Sequence, residues 1–308
     1  MDMKEFFKNT WRYRAYVVLA LPAFLILLLF SYVPMFGLLI TFKNFQIDKG
    51  IFHSPWVGLD NFKVLVASKA TFVQMTKNTL IYYAIFTILG TTLNIVLAIS
   101  IDQFVFKNVG KVMQTIMIIP VFISYAAVQF IVYAYLSTDS GLVNKSLLPL
   151  LGLDSVSFYT HPEYWRVILT VVKIWNGVGY GSVLYMSVLA GIDQELYEAA
   201  RIDGANKWQQ IWHITIPMLI PMITVMLLLS VGGIMRSDSG LFYTVTRNSG
   251  ILYSTTQTID AYVLNAIFKS SNFGFTAACS FFQSFVGLLM MLVANFTVRK
   301  IAPENALF

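Results

Sequence analysis

Six long runs of apolar residues, at 16–40, 79–101, 113–136, 166–190, 214–235 and 276–298, leave this chain few choices of fold. A helix needs about 20 predominantly apolar residues to cross about 30 Å of hydrocarbon. It also satisfies its own backbone groups there, as an open strand cannot. No alternating pattern of about ten residues points to a barrel. The runs therefore predict an all-α polytopic membrane protein with six transmembrane helices. Composition agrees: 57% of the residues are hydrophobic and 12% charged, where soluble domains carry roughly 25% charge. No soluble domain, low-complexity tract or repeat interrupts residues 1–308, which read as a single transmembrane domain.

The basic leader MDMKEFFKNTWRYR precedes the first run. That run is longer than a signal-peptide core and shows no small-residue cleavage site, so it is expected to stay as a span. With residues 1–15 inside, the cytoplasmic pieces would hold 10 Lys and Arg in 59 residues, and the exterior pieces 9 in 107. Basic residues concentrate on the cytoplasmic side of membrane proteins. The expected topology is thus multi-pass, with both termini inside. The net charge of +6 sits at the ends of apolar runs rather than on a basic, aromatic-interleaved patch, which argues against nucleic acid as a partner.

Several chemistries find no residues to carry them. The phosphate-cradling pattern G-x-x-x-x-G-K-[ST] is missing. Its nearest approach, Gly110-Lys111-Val112, lacks the first glycine and the hydroxyl. His53, His161 and His213 have no metal-ligand spacing, and Cys279 stands alone in an apolar run. No G-x-S-x-G elbow appears. The acids Asp139, Asp154, Glu163, Asp238 and Asp260 read as loop charges. No catalytic or metal site is expected.

The most informative polar insert is YEAARIDGANKWQQIWHITIP, residues 197–217. Asp193 is placed to cap a helix that has Glu195 in its first turn. Glu198 and Arg201, three apart, can pair. Ala199 and Ala200 keep one side thin, and Gly204 suits the left-handed residue that ends such a helix. Asn206 and Gln209 then have the spacing of a capping box. Trp208, Ile211 and Trp212 form an interfacial stripe before Pro217. A helix–turn–helix over 193–213, lying on the membrane face with small residues outward, would be a docking surface; the plainer reading is a solvated loop.

The same residues resemble the EAA motif of permease subunits in binding-protein-dependent ABC importers. That motif reads Glu-Ala-Ala, three residues, Gly, nine residues, Ile, one residue, Leu-Pro. Glu198, Ala199, Ala200, Gly204, Ile214 and Pro217 match it without a gap, and Ile216 replaces the usual Leu. Two further segments, Trp56-Val57-Gly58-Leu59-Asp60-Asn61-Phe62 and RNSGILYSTTQTIDAYVLNAIF at 247–268, look like the LplB-like permeases for polysaccharides and complex oligosaccharides.

This resemblance implies the type I ABC importer permease fold. Glu198, Ala199, Ala200, Arg201, Asp203, Gly204 and Ala205 would form a coupling helix seated on a cytoplasmic ATPase. It further implies a place in a bacterial cytoplasmic membrane, two ATPase subunits, a second homologous permease, an exterior substrate-binding (lipo)protein and a carbohydrate substrate. The chain would bind no cofactor itself; ATP and Mg would belong to the ATPase. The same architecture could serve another solute, such as a glycerophosphodiester. A polytopic enzyme acting on lipid-linked sugars, which would turn over alone, and a passive channel, which would conduct without ATP, are the readings from other classes.

A translocation pathway would need polar groups within the spans. Tyr125, Gln129 and Tyr133 recur every four residues on one helical face; Lys173, Asn176 and Tyr180 recur at three and four. Hydroxyls, amides and rings suit sugars. Interhelical hydrogen bonding is the alternative use for them, and snorkelling to the outer boundary would suffice for Lys173.

Overall fold

Among the described residues, five helices are long and apolar enough to cross a bilayer, and two further helices, meeting at a sharp bend, are so only when taken together. The computed structural model describes residues 12–67, 69–103, 107–269 and 273–307. They fall into two compact units, one within Met1–Ala67 and Asn272–Phe281, the other within Ser68–Ser271 and Phe282–Phe308.

In the first unit, α1 (Arg14–Leu27) winds on through a wider turn at Leu28–Tyr32 and a tighter one at Val33–Phe42. None of the residues Arg14–Leu27 is buried, as suits a rod whose surroundings are lipid or another chain. The segment after it is pinned by Lys43, buried to 3% exposure. Its Nζ donates to the Ile51 and Phe52 carbonyls at 2.9 and 2.7 Å, and lies 4.9 Å over the Trp56 ring. Asn61 Nδ2 donates to the Thr41 and Lys43 carbonyls at 2.8 and 3.0 Å. The Trp56–Phe62 segment is thus a folded clasp, turned by Gly58 at φ +59°.

The second unit is built on α2 (Lys69–Asp102) and α5 (Trp165–Leu189). At 34 residues, α2 is about 51 Å long, so it overreaches the bilayer. Glycines let α5 lie close to its neighbours. A Cβ at Gly179 would stand 1.8 Å from the Met117 carbonyl oxygen of α3 (Lys107–Ile118), and one at Gly181 would meet the Asn94 amide of α2 at 2.4 Å. The fifth span, Lys207–Val231, ends in α7 (Ile216–Val231). The last helix, α8 (Phe273–Ile301), passes through both units; within the second, a Cβ at Gly287 would meet the Gly232 carbonyl oxygen at 2.4 Å.

Five of the six expected spans coincide with these helices, with ends shifted by one to ten residues. The third does not. Residues 113–136 were expected as one rod, but α3 and its tighter continuation stop at Phe122 and α4 (Tyr125–Leu136) restarts at an angle of 100°. Pro120 lacks the N–H that would continue the ladder. Ser124, in extended conformation, caps the new helix by accepting from Ala127 N–H.

Candidate functional site

Residues 190–217 form an elbow. Asp193 Oδ1 accepts from Glu195 N–H at 3.0 Å and opens α6 (Gln194–Ile202). Gly204, at φ +79°, closes it. Its N–H donates to the Arg201 carbonyl at 3.1 Å, and Ala205 N–H reaches back to Ala200 at 2.8 Å. These two bonds are the pair that defines a Schellman stop, and they satisfy carbonyls left orphaned at a helix end. The second start is a complete capping box: Asn206 Oδ1 accepts from Gln209 N–H, and Gln209 Oε1 accepts from Asn206 N–H.

The elbow is anchored from beneath by Tyr197, whose buried hydroxyl lies 3.0 Å from Thr215 Oγ1 and whose ring packs with Ala98, Tyr185, Leu189 and Leu219. Gln210, also buried, donates to the Ala205 carbonyl at 3.1 Å. Nothing in the residue pattern singled out Tyr197; an aromatic ring about 100° round α6 from Glu198 was the available signal. Glu198, Ala199, Arg201, Asp203 and Gly204 are exposed, and Ala200 and Ala205 half-buried. Glu198 and Arg201 do not form the ion pair their spacing allowed; among the described residues the pairs are Lys63–Asp60, His161–Glu163 and Lys173–Asp238. Ala200, Asp203, Gly204, Ala205, Gln209 and His213 surround an open hollow of about 300 Å³. Trp208 and Trp212 stay exposed, as an interfacial stripe requires.

A second site lies toward the other end of α2 and α5. Lys173 stands 16 residues before Leu189, about 24 Å along α5. Its Nζ donates to Asp238 Oδ2 at 3.0 Å and to the Tyr125 hydroxyl at 3.3 Å. Of the six pathway candidates, the structure joins these two. Around them Tyr82, Tyr83, Phe86, Thr87, Lys173, Arg236, Ser237 and Asp238 line a cavity of about 220 Å³. Asp238 and Arg236 were counted with the loops because they fall just past the apolar run; the chain turns back after Val231, which carries them to the cavity.

The other four candidates lie apart from that pair. Asn176 is buried at the break in the third span, its amide donated to the Pro120 carbonyl at 2.7 Å. Tyr133 is exposed and has the guanidinium carbon of Arg247 4.5 Å from its ring centroid. Arg247 and Asn248 both hold left-handed conformations, φ 55° and 48°, unusual for non-glycine residues. Beside them burial pushes the Tyr159 hydroxyl up to about 12, against the pull of Arg247. Gln129 is half-buried and Tyr180 exposed.

Comparison with known proteins agrees with this fold. The YteP polygalacturonan/rhamnogalacturonan transport system permease of Bacillus subtilis is 31% identical over 94% of this chain and 88% of its own length. The LplB protein of the same organism is 29% identical over 97% and 91%. The fold superposes, at a TM-score of 0.85 and 32% identity, on a chain of a bacterial alginate ABC transporter solved in complex with an alginate pentasaccharide-bound periplasmic protein, covering 96% of this chain and 97% of that one. Residues 90–303 match the family described as binding-protein-dependent transport system inner membrane component. The chain therefore belongs to that family: it is a membrane-spanning transport permease.

Proposed function

We propose that this permease carries oligosaccharides, delivered by an exterior binding protein, across a bacterial cytoplasmic membrane, driven by ATP hydrolysed with Mg on separate ATPase subunits. The observation that carries the reading is the elbow: a small-sided helix closed by left-handed Gly204 and rooted on Tyr197 in the span bundle. A push on such a rigid lever is transmitted to α5 and α7 rather than absorbed in a loop. Its hollow, edged by Ala200, Gly204 and Ala205, leaves room for an ATPase side chain. The sugar-transport names of the relatives and the tyrosine-lined cavity favour a carbohydrate over other solutes.

In this reading both termini and the elbow are cytoplasmic, and a second homologous permease completes the pathway. Glu198→Lys and Gly204→Arg test the coupling role. Both variants should insert normally yet lose most co-purifying ATPase and sugar-stimulated ATP turnover. Wild-type yield of the complex with normal stimulated turnover would end the assignment.

A further inference from the structure

We infer that Arg236 reads the charge of the sugar, making this a permease for acidic oligosaccharides; the inference rests on the carbohydrate reading above. The cavity beside Arg236 is lined by two cations and one carboxylate. Lys173 is matched by Asp238 at 3.0 Å. Among the described residues Arg236 has no ion pair; it donates to the neutral Ser284 hydroxyl at 3.4 Å, a long bond by ordinary standards. Asp260 does not line the cavity, and its Oδ2 accepts from the Ser237 N–H and hydroxyl. The lining therefore carries one unmatched positive charge, on the side chain whose planar fork fits a carboxylate best.

The rest of the lining suits the rest of a uronate ring. Tyr83 and Phe86 bring two rings to the same lining, and Thr87 a hydroxyl. A volume of about 220 Å³ is below the ~300 Å³ at which pockets begin to enclose whole drug-sized ligands, so it suits one ring of a chain in passage. A neutral ring can accept hydrogen bonds from the guanidinium through its hydroxyls, but it brings no charge to match the cation.

The test uses the complete importer, reconstituted in vesicles with its binding protein. It is offered trimer-to-pentamer pools of oligogalacturonate and oligoalginate, and of maltodextrin and galactan. Arg236→Gln should cut uptake of an acidic pool about tenfold or more, the worth of one charge-assisted hydrogen bond. Arg236→Lys should recover part of it. ATP turnover stimulated by the sugar-free binding protein should not change in either variant, which separates recognition from assembly. Unchanged acidic uptake in Arg236→Gln overturns the inference. So does a loss shared equally by uptake and sugar-free ATP turnover, or by acidic and neutral sugars, as expected of a residue that merely anchors the helix end at lipid headgroups. A wild-type importer that takes only the neutral pools overturns the inference and leaves the carbohydrate reading standing. One that takes neither pool overturns both.

Discussion

The Asn176 side-chain amide donates to the Pro120 carbonyl at 2.7 Å, across 56 residues of sequence. One polar group in α5 thereby holds the point at which the third span breaks. Backbone that leaves helical geometry at membrane depth needs such a partner, because lipid supplies none. Asn176→Ala should lower the stability of the detergent-solubilised protein by about 1–2 kcal/mol, a hydrogen bond plus a small void. Asn176→Asp should be worse, since it sets an acceptor against an acceptor. Thermal unfolding followed by size-exclusion fluorescence would show the order; equal midpoints for wild type and both variants would remove Asn176 from this role.

Of the three glycines in helix α5, two carry opposite expectations. A Cβ at Gly179 would collide with Met117 backbone, whereas one at Gly177 meets nothing within 4 Å. Gly179→Ala has to part α5 from α3 and should cost about 1–3 kcal/mol, as overpacking does. Gly177→Ala should be neutral or gain up to about 1 kcal/mol of helix propensity. The pair is read from the same melting curves, and a Gly179→Ala variant as stable as Gly177→Ala would show that this contact is looser than it stands here.

How much of this was readable beforehand differs by scale. Five spans were legible because hydropathy integrates over some twenty residues. The elbow was legible because caps act locally: Asp193, Gly204, Asn206 and Gln209 each bond within five residues. The break at Ile123–Ser124, just past Pro120, was missed because an average over 113–136 hides two extended residues. The cavity was missed for the opposite reason. Its members come from Tyr82, Lys173 and Asp238, and no local rule connects residues 65 or more positions apart. Lys173 was noticed as a polar residue within a span, but its partner was filed among loop charges.

Lys173 and Asp238 are each about one-third exposed, so their pair lies between the surface and buried regimes. Surface pairs contribute at most about 1 kcal/mol, while stranding one charge in a dry site costs more than removing both. In a double-mutant cycle, Lys173→Met and Asp238→Asn should each impair uptake or stability more than the combined variant does. A coupling of about 1 kcal/mol is expected. Strictly additive effects would mean the two groups act independently despite their 3.0 Å separation.

The sidedness of the elbow can be read chemically. The chain has one cysteine, Cys279, and it is buried, so a membrane-impermeant maleimide should leave the native protein unlabelled. Ile202, 87% exposed at the end of α6, and Leu151, 72% exposed in the loop before α5, supply test positions. With the elbow inside the cell, Ile202→Cys should label in inverted vesicles and not in right-side-out ones, and Leu151→Cys the reverse. Docking adds a second expectation that topology alone does not. In inverted vesicles holding the assembled importer, the ATPase should cover α6 and slow the labelling of Ile202→Cys, and stripping the ATPase should restore the rate. Labelling of Ile202→Cys from the outside would reverse the topology, and an unchanged rate on stripping would separate the elbow from the ATPase while leaving the topology intact.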